Sequence, residues 1–322
     1  MKILITGGVG FIGTNTAIYF AKKNHQITIV DNFSRLGVEK NASFLKKKFP
    51  KIKIIKSNVS SIKNYQSFLN QAEVVIHLAG QTALTTSIKN PKNDFQNNLV
   101  DSFILLEYLR KNNPKAIVIY SSTNKVYGDL KAMKKFSPVD ENTPLDFISP
   151  YGCSKGAADC YFLDYQRIFG LKTVVFRQSC IYGPHQLGVE DQGWVAHFAK
   201  QFLLKKAITI FGDGKQIRDL LYVNDLVEAY EKSIKNIEKV KGQAINIGGG
   251  KNNAYSLLQV IKILEKEFGY KIPIYFDKTR IGDQKYFVSK NKKAKKLLNW
   301  QPKTNFLKGL KELIRWQKEN LL

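Results

Sequence analysis

The sequence predicts an α/β fold, in which a doubly wound parallel sheet is interleaved with a smaller second domain. Two observations lead to this prediction. Up to about residue 180, short β-branched runs alternate with helical patterns, as expected for βαβ units whose helices cover both faces of a parallel sheet. Beyond Tyr182 the alternation loosens, but no repeat or low-complexity linker separates the rest of the chain from the first part. The second domain is therefore expected to be interleaved with the first.

The individual elements follow from the same patterns. Buried strands are predicted at Lys2–Thr6, Ile27–Val30, Ile52–Lys56, Glu73–Leu78, Ala116–Tyr120 and Thr173–Phe176. Helices are predicted at Phe11–Lys23, Val38–Lys48, Ile62–Asn70, Phe95–Lys111, Tyr151–Phe169 and Trp194–Leu204. We expect one domain over residues 1–178 with a return segment at about 223–250, and a second domain over residues 179–222 and 251–322.

The composition excludes several classes of protein. With 43% hydrophobic and 12% aromatic residues the chain can form a large core, which excludes intrinsic disorder. Its apolar runs are short, and none approaches the roughly 18 residues that a membrane span needs. The three cysteines include no CxxC pair, which argues against a disulfide framework or a zinc site, so no metal is expected. A reducing compartment fits this usage and the sequence opens without a signal-peptide pattern, so we expect a cytoplasmic protein.

The net charge of +25 is the strongest feature of the composition and raises the question of nucleic acid or anionic membrane partners. However, arginine makes up only a small minority of the 51 basic residues, and the lysines are scattered over most predicted helices. Nucleic-acid sites favour arginine, whose planar fork binds phosphate oxygens in pairs. We therefore interpret the charge as a solvated lysine surface and expect neither nucleic-acid binding nor membrane insertion. Anionic substrates would still be attracted.

A glycine-rich turn gives the first functional signal. Gly7, Gly10 and Gly13 follow the first predicted strand and open the first helix, a GxxGxxG variant of the Rossmann fingerprint. Glycines in this setting allow a tight turn and let a pyrophosphate approach the backbone N–H groups at the helix N-terminus. The second strand runs to Asp31, where a carboxylate binds ribose hydroxyls and repels a 2′-phosphate. A Rossmann-type sheet that binds NAD rather than NADP is predicted, although the nearby Arg35 weakens that preference.

A second signal is a tyrosine and a lysine spaced for one helix face, Tyr151 and Lys155. A free tyrosine has a pKa of about 10, and a pKa near 7 requires about 4 kcal/mol of preferential stabilisation of the phenolate. A neighbouring ammonium and the nicotinamide ring of NAD⁺ could supply this, which would make Tyr151 a general base. Thr123 lies just beyond a predicted strand, where the carboxyl ends of parallel strands line the ligand crevice. The alternative is an ordinary surface Tyr–Lys pair.

Together these motifs resemble the extended short-chain dehydrogenase/reductase family that acts on nucleotide sugars. The resemblance rests on TGGVGFIG, HLAGQ, SSTNKVYG, YGCSK and FRQSCIYGP and runs from Met1 to about Tyr286. It implies a smaller substrate-binding domain beside the Rossmann sheet and a catalytic set of Thr123, Tyr151 and Lys155. The resemblance also implies an NAD pocket formed by Gly7, Gly10, Phe11, Ile12, Gly13, Asp31, Asn32, Ser34, Arg35, Asn58, Val59, Leu78, Ala79, Gln81, Asn98 and Ser121, together with Tyr151 and Lys155. Asn58 stands where the family usually has an aspartate.

Within the family, two departures narrow the choice of reaction. Dehydratases carry Asp-Glu directly after the catalytic threonine, whereas this chain has Asn124 and Lys125, which argues against dehydration. The 4-epimerases acting on UDP-hexoses usually have asparagine where this chain has Cys180. Long stretches around Asn32–Arg35, Ser122–Asp129 and Cys180–Phe198 instead resemble the CDP-paratose 2-epimerase branch.

The substrate side is predicted from the same resemblance. The residues expected to bind substrate are Thr123, Asn124, Gln178, Ser179, Gln192, Arg218 and Arg280. The two arginines are expected to hold the nucleotide diphosphate, since a guanidinium offers paired donors to phosphate. The alternative for each arginine is a salt bridge between domains.

The resemblance implies a nucleotide-sugar epimerase that inverts C2 of a CDP-dideoxyhexose through a transient 2-keto sugar, with tightly bound NAD. We expect a CDP-sugar substrate and a homo-oligomer, either dimer or tetramer. Two alternatives stay open. One is a UDP-hexose 4-epimerase of the same family, and the other is a non-catalytic protein that binds NAD or nucleic acid.

Overall fold

The architecture comes from a computed structural model that describes residues 1–130 and 137–321. The strands of these residues are β1 (Lys2–Thr6), β2 (Gln26–Asp31), β3 (Lys53–Lys56), β4 (Val74–His77), β5 (Ile117–Thr123), β6 (Lys172–Gln178), β7 (Cys180–Tyr182), β8 (Ile208–Phe211), β9 (Ile217–Tyr222), β10 (Gln243–Ile247), β11 (Ala254–Ser256), β12 (Ile274–Asp277) and β13 (Tyr286–Phe287). The helices are α1 (Phe11–Lys22), α2 (Val38–Lys48), α3 (Gln66–Gln71), α4 (Leu84–Lys89), α5 (Pro91–Phe95), α6 (Asp101–Asn112), α7 (Ser149–Phe169), α8 (Trp194–Leu203), α9 (Val223–Lys235), α10 (Ile237–Val240), α11 (Leu257–Phe268), α12 (Lys292–Leu298) and α13 (Phe306–Leu321).

Within the described residues a seven-stranded parallel sheet has the order β10-β6-β5-β4-β1-β2-β3. The alternating side chains of β1 are buried in two apolar clusters, Ile3 and Ile5 in one and Leu4 in the other. This pattern requires helices on both faces, as in doubly wound folds. The predicted fold class, an α/β Rossmann-type sheet, is confirmed.

Parallel pairing aligns the carboxyl ends of the strands at one edge of the sheet. Thr6 pairs with His77, and Thr123 at the end of β5 pairs with Gln178 at the end of β6. Residues that follow these ends, including the glycine turn after β1, therefore meet at a common crevice. The crevice is where the predicted site residues are expected to gather.

A smaller lobe lies beyond β6. Strand β9 pairs with β7, β11 and β13, and β8 pairs with β12. A separate apolar cluster that includes Phe198, Phe202, Leu264, Phe306 and Leu313 supports this lobe. Strand β10 returns to the central sheet beside β6. The division into residues 1–178 with a return at about 223–250, and 179–222 with 251–322, stays a prediction.

Most predicted elements form, with differences at two helices. The segment predicted as one helix at Phe95–Lys111 begins at the last residue of α5, passes through a π-helical turn at Gln96–Val100 and continues as α6. The predicted helix Ile62–Asn70 is divided into a 3₁₀ turn at Ile62–Asn64 and α3. Across residues 1–130 and 137–321, no helix has the length and apolar character that crossing a membrane requires.

Candidate active site

The glycine turn after β1 is packed so closely that side chains are excluded. Gly7 has a φ of +69°, and a Cβ there would lie 2.7 Å from the backbone nitrogen of Ala79. A Cβ at Gly13 would meet the carbonyl oxygen of Gly7 and the backbone of Gly8. The turn therefore presents bare backbone at the N-terminus of α1, which is the arrangement that suits a pyrophosphate.

Asp31 at the end of β2 is tied to this turn. Its carboxylate accepts hydrogen bonds from the backbone N–H groups of Val9 (3.1 Å) and Phe33 (2.9 Å). Burial raises the pKa of Asp31, and these backbone donors oppose the rise. Nearby, the side-chain amide of Asn32 donates to Asn58 Oδ1 at 2.9 Å, so the asparagine at the usual aspartate position accepts from within the chain.

Other predicted cofactor residues surround this turn and the next strand end. The hydroxyl of Thr6 accepts from the backbone N–H of Ala79 at 3.3 Å. Ser34 donates its backbone N–H to Asn32 Oδ1 at 3.0 Å, and Val59 is buried. Burial lowers the pKa of the Arg35 guanidinium.

Tyr151, Thr123 and Lys155 come together between α7 and the end of β5. The Thr123 hydroxyl lies near enough to the Tyr151 phenol to lower its pKa, and both side chains are buried. The Nζ atom of Lys155 donates to the carbonyl of Ser121 at 2.6 Å and lies 4.2 Å from the centre of the Tyr120 ring. The three residues predicted to be catalytic therefore share one small volume.

The pKa values of Tyr151 and Lys155 do not correspond to the predicted pair of a phenolate and an ammonium in the protein alone. Burial raises the pKa of Tyr151 to about 12, partly opposed by the nearby Thr123 hydroxyl. Burial also lowers the pKa of Lys155 to about 7, against the attraction of the Asp159 and Asp94 carboxylates. The surroundings of the two side chains therefore favour their neutral forms, so the net effect of the protein's own groups is to raise the pKa of Tyr151.

Beneath this group lies a hydrogen-bonded network that the sequence analysis missed. Ser154 donates to Asp94 Oδ2 at 2.5 Å, and the amide of Asn98 donates to Asp94 Oδ1 at 3.0 Å. Asn98 Oδ1 is buried and accepts no hydrogen bond from the described residues, and a Cβ on Gly80 would collide with it. Ser154 stands inside the YGCSK motif, but nothing in the local pattern singles out Asp94.

A cleft of about 340 Å³ connects the sheet edge with the smaller lobe. The predicted residues that line it are Phe11, Ile12, Leu78, Gln81, Ser121, Thr123, Asn124, Tyr151, Lys155, Gln178, Ser179, Gln192, Arg218 and Arg280. The predicted residues outside its lining are Gly7, Gly10, Gly13, Asp31, Asn32, Ser34, Arg35, Asn58, Val59, Ala79 and Asn98. The cleft thus joins the predicted catalytic group to every residue predicted to bind substrate.

Both arginines predicted to bind a diphosphate are ion-paired within the chain. Arg218 Nη2 lies 2.7 Å from Asp283 Oδ1, and its side chain is nearly inaccessible. Arg280 Nη2 lies 3.0 Å from Asp191 Oδ1, and its guanidinium stacks 3.7 Å from the centre of the Phe211 ring. Arg218 also donates to the backbone carbonyls of Ile217 and Gln284, and Arg280 to that of Glu190. A guanidinium has five N–H donors, so among the described residues Arg218 keeps its Nε donor and one on Nη1 for a further anion.

The other predicted substrate residues are held mainly by their own chain. Gln178 donates to Ser121 Oγ at 2.9 Å and to the Tyr230 hydroxyl at 2.6 Å. Ser179 donates to the backbone carbonyl of Asp219 at 2.8 Å. Gln192 exchanges backbone hydrogen bonds with Val189.

Comparison with known proteins identifies the family. The model of the NAD dependent epimerase/dehydratase family matches residues 3–248. The chain is 40% identical to a CDP-paratose 2-epimerase of Salmonella typhi over 98% of this chain and 99% of that protein. The chain belongs to the NAD dependent epimerase/dehydratase family, which confirms the resemblance seen in the sequence.

Solved structures agree with this assignment. A Thermotoga maritima UDP-glucose 4-epimerase with UDP-glucose superimposes with a TM-score of 0.89 at 31% identity, covering 100% of both chains. A Bacillus cereus UDP-glucuronic acid 4-epimerase with UDP-glucuronic acid and NAD gives 0.89 at 29% identity, covering 99% of both chains. These relatives and the family match support a nucleotide-sugar epimerase.

NAD, predicted as the cofactor, is confirmed by membership of this family. The residues present fit it on two observations. The backbone cradle at Gly7 and Gly13 excludes side chains, and the buried oxygen of Asn98 lacks a donor among the described residues. Both features suit a large polar ligand at the sheet edge.

Proposed function

We propose that this chain is a nucleotide-sugar epimerase that inverts C2 of a CDP-dideoxyhexose, converting CDP-paratose to CDP-tyvelose. One observation carries the proposal. A single cleft is lined by Tyr151 and Thr123 together with the two guanidinium groups of Arg218 and Arg280. Epimerisation of a nucleotide sugar requires a side chain that transfers a proton and side chains that bind the diphosphate.

Two features favour the CDP-sugar reaction over its relatives. The 40% identity to the Salmonella typhi CDP-paratose 2-epimerase extends over nearly the whole chain. The residues after Thr123 are Asn124 and Lys125, so the acid and base that a dehydratase uses in elimination are missing from this turn. A UDP-hexose 4-epimerase is the second candidate, favoured by the superposition on the Thermotoga maritima enzyme.

In the proposed site each residue has a defined task. Gly7 and Gly13 hold the pyrophosphate of NAD with their backbone, and Asp31 accepts from the adenosine ribose. Bound NAD supplies the acceptor of the C2 hydride and afterwards its donor. Tyr151 takes the proton from the C2 hydroxyl at its phenolic oxygen and later returns it to the oxygen of the 2-keto sugar. Thr123 holds that oxygen by a hydrogen bond.

Ionising Tyr151 is the main electrostatic requirement of this scheme. Lowering its pKa from about 12 to about 7 corresponds to about 7 kcal/mol of stabilisation of the phenolate. Lys155 contributes only as the ammonium, a form that its own pKa of about 7 keeps populated near neutral pH. The positive charge of an oxidised nicotinamide would add further attraction for the phenolate when NAD is bound.

Inversion also requires the sugar to present its opposite face while the nucleotide stays bound. This requirement is met if Arg218 and Arg280 bind the diphosphate tightly while the sugar makes weaker contacts. Gln178, Ser179 and Gln192 keep their predicted contacts with the substrate as part of the proposal. Cytoplasmic location also stays a prediction.

The test is to incubate the purified protein with CDP-paratose and, separately, with UDP-glucose, without added NAD, and to follow both by proton NMR. CDP-tyvelose is expected from the first, with a deuterium placed at C2 retained in the product, because the hydride returns to the carbon it left. Formation of UDP-galactose with unchanged CDP-paratose would establish the 4-epimerase instead. Tight, salt-sensitive RNA binding without turnover of either sugar would favour a non-catalytic protein.

A further inference from the structure

The turn that follows Thr123 is held by a segment of the smaller lobe. The Asn124 side-chain amide donates to Gln284 Oε1 at 3.0 Å. In return, Gln284 Nε2 donates to the backbone carbonyls of Asn124 (3.3 Å) and Gly128 (2.7 Å). Gln284 is 1% exposed, so these bonds form away from water, where leaving them unmade is costly.

Lys125 makes a second connection to the same segment. Its Nζ atom donates to the carbonyl of Gly282 at 3.2 Å and to Asp283 Oδ1 at 3.3 Å. Asp283 Oδ1 also pairs with Arg218 at 2.7 Å. We call Asn124, Lys125, Asp283 and Gln284 the clasp. Through Asp283, the clasp joins the turn after β5 to an arginine proposed to bind the diphosphate, and its segment also carries Arg280.

The clasp acts directly on the hydroxyl of Thr123. The Thr123 Oγ1 atom donates to Asn124 Oδ1 at 3.3 Å and accepts from the backbone N–H of Lys125 at 3.2 Å. The amide of Asn124 therefore contacts Thr123 through its oxygen and Gln284 through its nitrogen. Because a side-chain amide has distinct donor and acceptor ends, the Gln284 contact fixes which end faces Thr123.

We propose that Asn124 and Lys125 are positioning residues that set the direction of the Thr123 hydroxyl according to how the Arg280–Gln284 segment is docked. Where dehydratases have an acid and a base, this chain has a structural connection between the diphosphate-binding segment and the residue that holds the reacting oxygen. This inference rests on the proposed function. It differs from the sequence prediction that Asn124 contacts the substrate directly.

A double-mutant cycle separates these two roles of Asn124. Asn124→Leu, Gln284→Leu and the double variant are compared with the wild type on whichever of CDP-paratose and UDP-glucose the wild type converts. Because misplacing a reacting group by about 1 Å can cost about 100-fold, each single change is expected to lower kcat about 10- to 100-fold. KM should stay within about threefold, and the double variant should be no slower than the worse single variant.

Direct sugar contact by Asn124 predicts the opposite result. Asn124→Leu would then raise KM, and Gln284→Leu would leave kcat unchanged, which would overturn the positioning role. Lys125 offers a pair of variants with little risk to folding: Lys125→Arg should retain most of kcat, whereas Lys125→Met should lose about 10-fold. Lys285→Met, at an exposed lysine next to Gln284, is the matched control and should behave as wild type.

Amide hydrogen exchange gives a readout that needs no substrate. Exchange across residues 123–128 should be about 10-fold faster in Gln284→Leu than in wild type, while residues 2–6 of β1 stay unchanged. Unchanged exchange at 123–128 would refute the clasp whatever the substrate. If exchange is faster in Gln284→Leu but the wild type converts neither sugar, the clasp exists and the proposed function is refuted. The catalytic role of the clasp is then refuted as well.

Discussion

The Nζ atom of Lys155 donates a 2.6 Å hydrogen bond to the main-chain carbonyl of Ser121. This bond joins α7 to the last residues of β5, so the lysine and the strand end that carries Thr123 are held in one arrangement. It also keeps a nearly inaccessible ammonium beside the Tyr120 ring, where desolvation is severe. The lysine is therefore placed for function at a cost in stability.

Lys155→Met tests that cost. The pKa of Lys155 is lowered from its usual value to about 7, so the folded state binds fewer protons than the unfolded state between pH 7 and about 10.5. The loss of folding stability caused by the buried Lys155 ammonium is complete below pH 7. It decreases as the pH rises towards 10.5, where the unfolded state also loses its proton. The variant should be more stable than wild type at pH 6.5, on the order of 1–3 kcal/mol in urea unfolding, and inactive. Equal stabilities at pH 6.5 would contradict the buried-charge argument.

Tyr151→Phe removes the proposed proton acceptor with little change in shape. Turnover should fall at least about 100- to 10,000-fold, because general base catalysis contributes that much. NAD copurified with the protein should stay near the wild-type amount, measured by absorbance after denaturation. Tyr275→Phe, at an exposed tyrosine on β12, is the control. Unimpaired turnover of Tyr151→Phe would disprove the base assignment.

Burial of His77 makes the free energy of unfolding depend on pH in the acid range. It is fully buried at the end of β4 between the hydroxyls of Thr6 (2.7 Å) and Ser102 (2.9 Å), and burial lowers its pKa to about 3. The unfolded histidine gains a proton near pH 6.5 while the folded one does not, so stability falls as the pH drops below 6.5. The loss between pH 7 and pH 5 should be about 2 kcal/mol.

The measurement for this histidine is urea unfolding at pH 7, 6 and 5. His77→Gln should be less stable at pH 7 but should lose about 2 kcal/mol less on going to pH 5. His25→Gln, at a partly exposed histidine whose pKa burial also lowers, should change the pH dependence less than His77→Gln does. Parallel pH profiles for His77→Gln and wild type would show that His77 is not the group responsible.

Oligomerisation is predicted at a face formed by α6 and α7. Phe103 (39% exposed) and Tyr161 (43% exposed) form an edge-on aromatic pair there with ring centres 5.6 Å apart. Exposed apolar surface of this kind marks interfaces. Phe103→Glu should therefore shift the protein from a dimer or tetramer towards monomer in light scattering. Leu307→Glu, at an exposed leucine on α13, should not. A monomeric wild type would exclude a stable homo-oligomer.

The features predicted best from the sequence are those set by local patterns. Strand β1 and helix α2 have the predicted bounds, because an apolar run and an amphipathic period determine them. The GxxGxxG spacing after the first strand predicts the glycine turn, and the structure gives the reason for the glycines, since a Cβ at Gly7 or Gly13 would collide with backbone atoms. Tyr151 and Lys155 come together because they lie one turn apart on α7.

The features that could not be predicted from the sequence depend on residues that are distant from one another in the chain. The π-helical turn at Gln96–Val100 breaks a segment whose periodicity indicates one helix, and it places Asn98 beside Ser154 and Gly80. The ion pairs of Arg218 and Arg280 join segments far apart in the chain. The raised pKa of Tyr151 arises from burial, which no spacing of residues reveals.

The position of β10 has a consequence for how the chain is made. Strand β6 and its partner β10 are separated in sequence by β7, α8, β8, β9, α9 and α10, so the last place in the sheet is filled late in synthesis. Until then, the ribosome holds a nascent chain whose β6 has a free edge and an entirely apolar centre at Val174, Val175 and Phe176. Such an edge recruits other strands, so fragments that stop before Gln243 should aggregate when expressed, and this enzyme cannot be trimmed to its nucleotide-binding half.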